Sequence, residues 1–292
     1  MVRLAVATNS ETYERMQSPL ADRGIEVGHV ATSERAIPLT ESPHEEFDVG
    51  FVYPPRIMEG AVTDAFLDVP WVNGREAILR SRNKADVLAR LGRADVPVPD
   101  SVMVSNPADE SELVAAFERL APPVVVKPNS TTRGVGVTTA HDLDSFLGIA
   151  DYLDLVHDYR ATGDQSFLVQ EYLAGATDYR AMVVDGEYVG AVERRLPTEA
   201  RERGRWKHNV HRGAVAEGVE LPTDHRRLAE RTADALDIDY LGVDLLVTGD
   251  RAVVNETNAR PTIDSATKYE EGFWDRLAAL IRETATERPR TE

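Results

Sequence analysis

The chain of 292 residues contains no cysteine. This absence excludes disulfide bonds, zinc sites built from thiolates and a cysteine nucleophile. The chain also has no apolar run near the roughly 20 residues that span a bilayer, and its first residues lack a basic segment followed by a long apolar one. We therefore expect a cytoplasmic protein that makes no membrane contact.

Lysine is scarce, since only 4 of the 33 basic residues are lysines. Acidic residues number 50, and the formal net charge is −17. A field of this sign repels nucleic acid and anionic lipid, so we expect neither as a partner. An acidic, lysine-poor surface is typical of a halophilic protein in a high-salt cytoplasm, while a GC-rich genome explains the excess of arginine equally well.

Hydropathy patterning predicts an α/β (α+β) chain of three units. Short apolar runs alternate with helical patterns over residues 1–80, which indicates a Rossmann-like domain with a parallel sheet. This unit lacks the Gly-x-Gly-x-x-Gly loop of dinucleotide-binding domains. Two strands, a loop and two helices predict a small central unit over residues 81–168, and residues 169–292 form a C-terminal antiparallel-sheet unit.

Two apolar runs flank a turn at residues 248–250. Asp244 lies on the first run, and Glu256 and Asn258 end the second. Residues two apart on a strand share a face, so a hairpin brings these three side chains together. Two carboxylates and an amide oxygen suit Mg²⁺. The alternative is a solvated hairpin whose polar residues face water, and this segment alone favours neither interpretation.

Two further segments have the chemistry of nucleotide binding. Lys127 ends an apolar strand and precedes a loop rich in Ser, Thr and Gly, which can fold over phosphate oxygens. The strand at residues 169–173 offers backbone donors and acceptors to adenine, and Glu171 on it can hold the ribose or a neighbouring lysine. The alternatives are a surface hairpin with a solvated lysine and a plain buried strand.

Several arginines are candidates for binding carboxylate or phosphate, because a guanidinium makes bidentate contacts with both groups. They are Arg180, Arg194, Arg195, Arg212 and Arg260. Most of the 29 arginines are expected to be solvated or ion-paired. The segment 207–213 is dense in polar and basic residues and ends in glycine, which suits a loop against an anionic ligand.

The order of these segments resembles the ATP-grasp superfamily, and in particular the ribosomal-modification (RimK-type) glutamate ligases with their lysine-biosynthesis and coenzyme-glutamylating relatives. The resemblance covers residues 47–263. It rests on nine short motifs, which are Asn73-Gly74, Ser81-Arg-Asn-Lys84, Val125-Val-Lys127 with Gly134-Val-Gly136, Val169-Gln-Glu-Tyr172, Asp178-Tyr-Arg180, Glu193-Arg-Arg195, Lys207-His-Asn-Val-His-Arg-Gly213, Gly242-Val-Asp244 and Glu256-Thr-Asn258.

The resemblance implies an ATP-grasp fold in which the central unit closes as a lid over ATP. The residues that it implies for ATP are Lys84, Lys127, Lys207 and Asn209 on the phosphates, Asp178 on the ribose, and Gln170, Glu171, Tyr172 and Leu173 around the adenine. The implied ligands of two Mg²⁺, or of Mn²⁺ in their place, are Asp244, Glu256 and Asn258. The implied residues for the carboxylate substrate or its phosphorylated form are Arg194, Arg212 and Arg260.

The implied reaction is the ATP-dependent joining of a carboxylate to an amine through an acylphosphate. Such a ligase would add glutamate or another amino acid to a small molecule, a peptide or a protein. Two alternatives stay open, an ATP-grasp kinase and a non-catalytic nucleotide-binding regulatory protein. Asn258 is followed by Ala-Arg-Pro, which is closer to the carboxylase and amine–glutamate ligase branches, so the substrate stays open. A homo-oligomer, dimer or tetramer, is compatible with these enzymes.

Overall fold

A computed structural model describes residues 1–7, 10–132, 134–156, 163–207, 213–249, 251–265 and 267–287 of the chain. The described strands form three sheets. The first is parallel, in the order β2-β1-β3-β4, and consists of β1 (Val2–Val6), β2 (Ile25–His29), β3 (Val49–Phe51) and β4 (Trp71–Val72). Its crossover helices are α1 (Ser10–Ala21) and α2 (Ile57–Leu67). The parallel sheet predicted from the alternating patterns is confirmed.

Helices α3 (Arg75–Arg82) and α4 (Lys84–Arg93) lead from the first sheet toward the second. The second sheet is antiparallel, in the order β5-β8-β6-β7. Its elements along the chain are β5 (Ser101–Ser105), α5 (Glu110–Glu118), β6 (Val124–Pro128), β7 (Thr138–Ala140), α6 (Leu143–Val156) and β8 (Ser166–Glu171). Val124, Val126 and Phe167 pack in one core with α5 and α6. Because strand residues alternate between faces, Lys127 and Gln170 lie on the opposite face.

The third sheet is antiparallel and has the order β11-β10-β9-β12-β13, with β14 beside β10. Its strands are β9 (Thr177–Val184), β10 (Glu187–Arg195), β11 (Val215–Val219), β12 (Tyr240–Thr248), β13 (Arg251–Asn258) and β14 (Lys268–Tyr269). Three helices follow β10 along the chain, α7 (Thr198–Glu202), α8 (Thr223–Leu236) and α9 (Phe273–Thr286). Helix α8 packs on the third sheet, whereas α9 packs mainly on the first sheet and also contacts β9. Asp185 and Gly186 have positive φ angles of 51° and 72°, as a tight hairpin turn requires.

Helix α4 packs with the third sheet rather than with the second. Val87 and Leu91 belong to the same core as Leu228 of α8 and Val254 of β13. The amphipathic pattern of α4 predicts a buried face, but it does not specify which sheet covers that face. The domain limits at residues 1–80, 81–168 and 169–292 stay predictions.

No helix within the described ranges is long and apolar enough to cross a membrane. Helices α6, α8 and α9 have 14 residues each, whereas a spanning helix needs about 20.

Asn73 joins the first sheet to the third. Its side chain is 4% exposed, and its φ of 59° places it in the left-handed region. Asn73 Nδ2 donates hydrogen bonds to the carbonyl oxygens of Tyr240 and Ala259, and its Oδ1 accepts from the Tyr240 N–H at 3.3 Å. Tyr240 begins β12 and Ala259 follows β13, so this one amide ties the first sheet to both ends of the hairpin.

Replacing Asn73 with glycine should lower the free energy of unfolding by about 2–4 kcal/mol, because buried backbone groups lose their partners. Glycine adopts a positive φ without strain, so the change isolates the hydrogen bonds. Urea denaturation followed by circular dichroism measures the effect. The control is Gln17→Ala, at an exposed position of α1, and its free energy of unfolding should stay within about 0.5 kcal/mol of the wild type. A loss no larger than that of the control would contradict the assigned role.

Candidate active site

The β12–β13 hairpin brings the three predicted metal ligands together. Asp244 lies directly opposite Glu256, and Gly242 lies opposite Asn258. The register shifts after this pair. Leu245 pairs with Val254, which leaves Asn255 as an extra residue in a β-bulge. The predicted hairpin and its shared polar face are confirmed, while the binding of metal by this face stays a prediction.

The carboxylate of Asp244 lies between two arginines. Arg180 Nε donates to Oδ1 at 2.7 Å and Arg180 Nη2 donates to Oδ2 at 2.9 Å, while Arg194 Nη2 lies 2.9 Å from Oδ2. Asp244 is 4% exposed. Burial acts to raise the pKa of Asp244, but the two guanidinium groups outweigh it and hold this pKa below its usual range. Asp244 is therefore ionised at neutral pH.

Arg194 bridges Asp244 and Asp178. Arg194 on β10 lies opposite Asp178 on β9, and Arg180 on β9 lies opposite Asp244 on β12. Arg194 Nε and Nη2 donate to Asp178 Oδ1 at 2.9 and 2.5 Å. Burial acts to lower the pKa of Arg194, but Asp244 and Asp178 raise it above its usual range. Asp178, predicted to hold the ribose, thus contacts Arg194 in this structure, and the ribose role stays a prediction.

Two of the three predicted phosphate lysines, Lys84 and Lys127, lie against the hairpin. Lys84 Nζ, in the first turn of α4, is 3.4 Å from Glu256 Oε1 and donates to the carbonyl oxygens of Asn129, at 3.2 Å, and Thr131. Lys127 Nζ lies 3.4 Å from Asn255 Oδ1 and 3.5 Å from the Asn255 carbonyl oxygen. The two lysines are 6% and 4% exposed. Burial lowers the pKa of Lys127 to about 8, although Glu256 and Asp244 act to raise it.

Three asparagines that contact these lysines or the helix carrying Lys84 were not among the predicted site residues. Asn129 Oδ1 accepts from the Ala85 N–H at 2.8 Å, and Asn129 Nδ2 donates to Asn83 Oδ1 at 2.9 Å. Asn83 caps α4 by accepting from the Asp86 N–H at 3.1 Å, and an Asn just before a helical pattern is the signal that could have found it. Asn255, which contacts Lys127 from the β-bulge, could not be predicted, because nothing in the sequence of this strand indicates a bulge.

The strand predicted to hold adenine contacts residues outside the proposed nucleotide set. Gln170 Nε2 donates to Ser101 Oγ at 2.9 Å. The partner of Glu171 is Arg251 rather than a lysine, so the lysine alternative for this carboxylate is wrong. The reason is the fold, because the tip of the β12–β13 hairpin places Arg251 beside the end of β8. Burial acts to raise the pKa of Glu171, but Arg251 and the Asp100 N–H lower it.

The residues after β8 lie beside the 206–207 segment. The ring of Tyr172 meets the ring of Trp206 edge to face, with centroids 5.7 Å apart. Lys207 Nζ lies 5.6 Å from the Trp206 centroid and donates to the carbonyl oxygen of Val137 in the central unit. Leu173 is half-buried. Asn209 and Arg212, predicted to contact phosphate and the carboxylate substrate, lie outside the described residues.

Arg260 spans from the hairpin to the first sheet. Its Nη2 donates to the carbonyl oxygens of Tyr53 and Pro54, each at 3.0 Å, and its N–H donates to Asn258 Oδ1 at 2.9 Å. Burial lowers the pKa of Arg260 to about 10, with Arg82 acting in the same direction, so the group stays charged at neutral pH. Its buried Nε has no hydrogen-bond partner within the part of the chain that the structure describes.

The oxygen atoms of the hairpin retain capacity for a metal. An ionised carboxylate offers about four lone-pair sites. Within the described ranges, Asp244 accepts three N–H donors and Glu256 faces only Lys84. No group of three or more His, Cys, Asp or Glu side chains is placed to hold a metal in those ranges, and the predicted set is two carboxylates and an amide. The donor chemistry therefore fits a hard cation that keeps water ligands.

The arrangement of the three sheets is that of ATP-grasp proteins. D-Alanine–D-alanine ligase from Bacillus anthracis matches with a TM-score of 0.69 over 98% of this chain and 97% of that chain, at 18% identity. The RimK domain ATP-grasp protein from Sphaerobacter thermophilus matches with a TM-score of 0.62 over 88% and 90% of the two chains, at 21% identity. These similarities establish the ATP-grasp fold.

Residues 81–273 match the family described as the RimK-like ATP-grasp domain, and the chain belongs to this family. It is 34% identical over 202 residues to a probable α-L-glutamate ligase of Thioalkalivibrio sulfidiphilus, a match that covers 66% of this chain and 60% of the relative. It is 31% identical over 206 residues to the ribosomal protein bS6–L-glutamate ligase of Escherichia coli, covering 68% and 62%. The chain thus spans less than two thirds of the length of these two relatives.

Asp244→Asn and Glu256→Gln should differ in their effect on the stability of the protein. Asp244→Asn removes the buried charge that Arg180 and Arg194 share, and we expect it to lower the free energy of unfolding by about 3 kcal/mol. Glu256→Gln leaves Lys84 with the carbonyl oxygens of Asn129 and Thr131 as acceptors, and its loss of stability should be smaller, about 1 kcal/mol. Guanidinium denaturation of both variants checks this. Equal losses in both variants would contradict the different roles of the two carboxylates.

Lys127 should make ATP affinity depend on pH. The lysine is protonated below a pKa of about 8 and neutral above it, and only the protonated form attracts phosphate. We expect the Kd for ATP to rise up to about tenfold from pH 7 to pH 9 as that charge is lost. Calorimetric titration measures it. In Lys127→Arg the guanidinium stays charged over this range, so the same pH dependence in that variant would refute the explanation.

Proposed function

We propose that the chain is an ATP-dependent ligase that joins a carboxylate to an amine. The observation that carries the proposal is the convergence of two buried lysines, Lys84 and Lys127, on the cross-strand pair Asp244 and Glu256. Burying two ammonium groups near each other is unfavourable unless anionic groups balance both charges. Within the described residues only Lys84 of the two has a carboxylate at ion-pair distance, Glu256 at 3.4 Å. A triphosphate supplies that charge, and membership of the RimK-like ATP-grasp family supports ATP as its source.

ATP would span the cleft between the second and third sheets. Its phosphates would lie at Lys84 and Lys127, with Lys207 and Asn209 completing the set. Its adenine would lie along residues 170–173, and Asp178 would hold the ribose. Lys127 and Gln170 lie on the same face of the second sheet, as expected if one ligand contacts both.

Asp244, Glu256 and Asn258 would hold the two Mg²⁺ ions of this site, with Mn²⁺ as a substitute. When bound, the ions neutralise phosphate charge and polarise the phosphoryl group to be transferred. Arg180 and Arg194 keep Asp244 ionised and fix both of its oxygens. The carboxylate is thus held in place before any ligand arrives.

The proposed reaction has two steps. In the first, a carboxylate oxygen of the substrate forms a bond to the γ-phosphorus of ATP, and the bond from that phosphorus to the bridging oxygen breaks, so that ADP leaves. In the second, the amine nitrogen attacks the acyl carbon, the bond from this carbon to the phosphate oxygen breaks, and the amine loses a proton to water. An amide, ADP and phosphate result.

The side chains of this chain contribute charge and position rather than a nucleophile. Lys84 and Lys127 would hold the phosphate oxygens while negative charge moves toward ADP. Arg194, Arg212 and Arg260 would bind the substrate carboxylate and then the acylphosphate. Closure of the second sheet over the hairpin would exclude water, which otherwise hydrolyses the intermediate.

The substrate class follows from the relatives and from Arg260. The matching proteins are named as glutamate ligases, so we propose glutamate or another amino acid as the amine. The acceptor would be a small molecule, a peptide or a protein terminus that ends in a carboxylate. Arg260, charged and held beside the end of β3, would bind that carboxylate.

The proposal predicts that ADP release requires an acid and an amine together. Purified protein is incubated with Mg-ATP and a matrix of carboxylates and amino acids, and ADP is measured by chromatography. Mass spectrometry then seeks a product equal to acid plus amine minus water. A kinase would release ADP with one co-substrate, and a binding protein would release none. Absence of ADP with every pair in a broad panel would overturn the ligase proposal.

Glu256→Gln should abolish this turnover while changing ATP affinity much less. The matched control is Glu220→Gln, which removes a carboxylate that also pairs with a lysine, Lys268, but on the exposed surface. The control should keep wild-type turnover. Unchanged turnover in Glu256→Gln would remove the metal role assigned to that residue.

A further inference from the structure

Glu171 marks the point where the central unit joins the rest of the chain. The chain enters the second sheet at Ser101 and leaves it at Glu171. The Glu171 N–H donates to the Asp100 carbonyl oxygen at 2.9 Å, and Glu171 Oε1 accepts from the Asp100 N–H at 2.8 Å. The two connections therefore lie side by side at this end of the second sheet.

Arg251 reaches this point from the third sheet. It begins β13, opposite Thr248 across the hairpin turn. Its Nη1 donates to Glu171 Oε2 at 2.9 Å and its Nη2 donates to Glu171 Oε1 at 2.6 Å. A bidentate pair of this kind constrains orientation as well as distance. The Arg251 side chain is 43% exposed, so it can be replaced without opening the core.

The strand that begins with Arg251 also presents the proposed metal ligand Glu256. On the same strand, the Val254 N–H donates to the Pro97 carbonyl oxygen at 2.9 Å. Strand β13 thus contacts the incoming connection through its backbone and the outgoing connection through Arg251. The segment proposed to hold adenine and the strand proposed to hold metal are linked through this one side-chain pair.

We propose that Arg251 is a positioning residue for ATP. It holds the segment 170–173 against the tip of the β12–β13 hairpin, at the distance and angle from Lys84 and Glu256 that a nucleotide bound at both ends requires. Arg251 itself touches no substrate. The inference rests on the proposed function, and it predicts a distinctive effect. A ligand bound only at the phosphate subsite depends on Lys84, Lys127 and Glu256, whose contacts with one another and with Asn255 do not involve Arg251. ATP, bound at both ends, depends in addition on the position of residues 170–173.

Arg251→Met tests the inference through the difference between ATP and tripolyphosphate. We expect the Kd and KM for ATP to rise about tenfold, equivalent to about 1.4 kcal/mol. The Kd for tripolyphosphate and kcat should each stay within about twofold. Arg251→Lys keeps the positive charge but cannot make the bidentate contact of a guanidinium, so its Kd for ATP should lie between those of the wild type and Arg251→Met.

The matched control is Arg276→Met, which removes an arginine from an ion pair with Glu187 at similar exposure, away from the junction. It should leave the Kd for ATP within about twofold of the wild type, as expected for a surface pair. If Arg251→Met fails to fold in a thermal melt, Arg251→Lys gives the same comparison.

Three results would overturn the inference alone. They are an ATP affinity in Arg251→Met equal to that of Arg276→Met, an equal loss for tripolyphosphate and ATP, and a fall in kcat at unchanged KM. A wild-type protein that binds no ATP and releases no ADP would instead overturn the proposed function, and the inference with it.

Discussion

Asp244 keeps its charge where water barely reaches it. The residue is 4% exposed, and an isolated carboxylate in such a place would take up a proton. Arg180 and Arg194 prevent this, because the strand order β10-β9-β12 places one guanidinium beside each side of the carboxylate. Glu256 lies opposite on β13, and both lysines approach from elsewhere in the chain. The electrostatics of the whole site thus depend on this buried, doubly paired carboxylate.

The cluster around Asp244 is cationic inside an acidic protein. Four cations face three carboxylates, namely Lys84, Lys127, Arg180 and Arg194 against Asp178, Asp244 and Glu256. The chain as a whole carries −17. A positive cleft in a negative protein attracts small anions to the cleft while the remaining surface repels polyanions. This distribution favours a phosphorylated small molecule over nucleic acid as the ligand.

Much of the site could be predicted from the sequence because its parts are local. Residues two apart on a strand share a face, so the sequence predicts that Glu256 and Asn258 lie on one face of β13. A single turn is enough to place Asp244 opposite Glu256. The partners of those residues could not be predicted in the same way. The β-bulge turns the Asn255 side chain toward Lys127, and nothing in the sequence indicates that bulge. Arg251 and Glu171 are eighty residues apart in the chain and meet only through the fold.

The sequence by itself determined the alternation of strands and helices, the polar face of the hairpin, the lysines at strand and helix ends, and the motif order of the family. These follow from backbone periods of two and 3.6 residues, which are properties of a short segment. Only the tertiary structure decided that Asp178 binds Arg194, that α4 packs on the third sheet and that Arg251 holds the end of β8. Those choices depend on which strands lie side by side, and strand order is set by the packing of the whole chain rather than by any one segment.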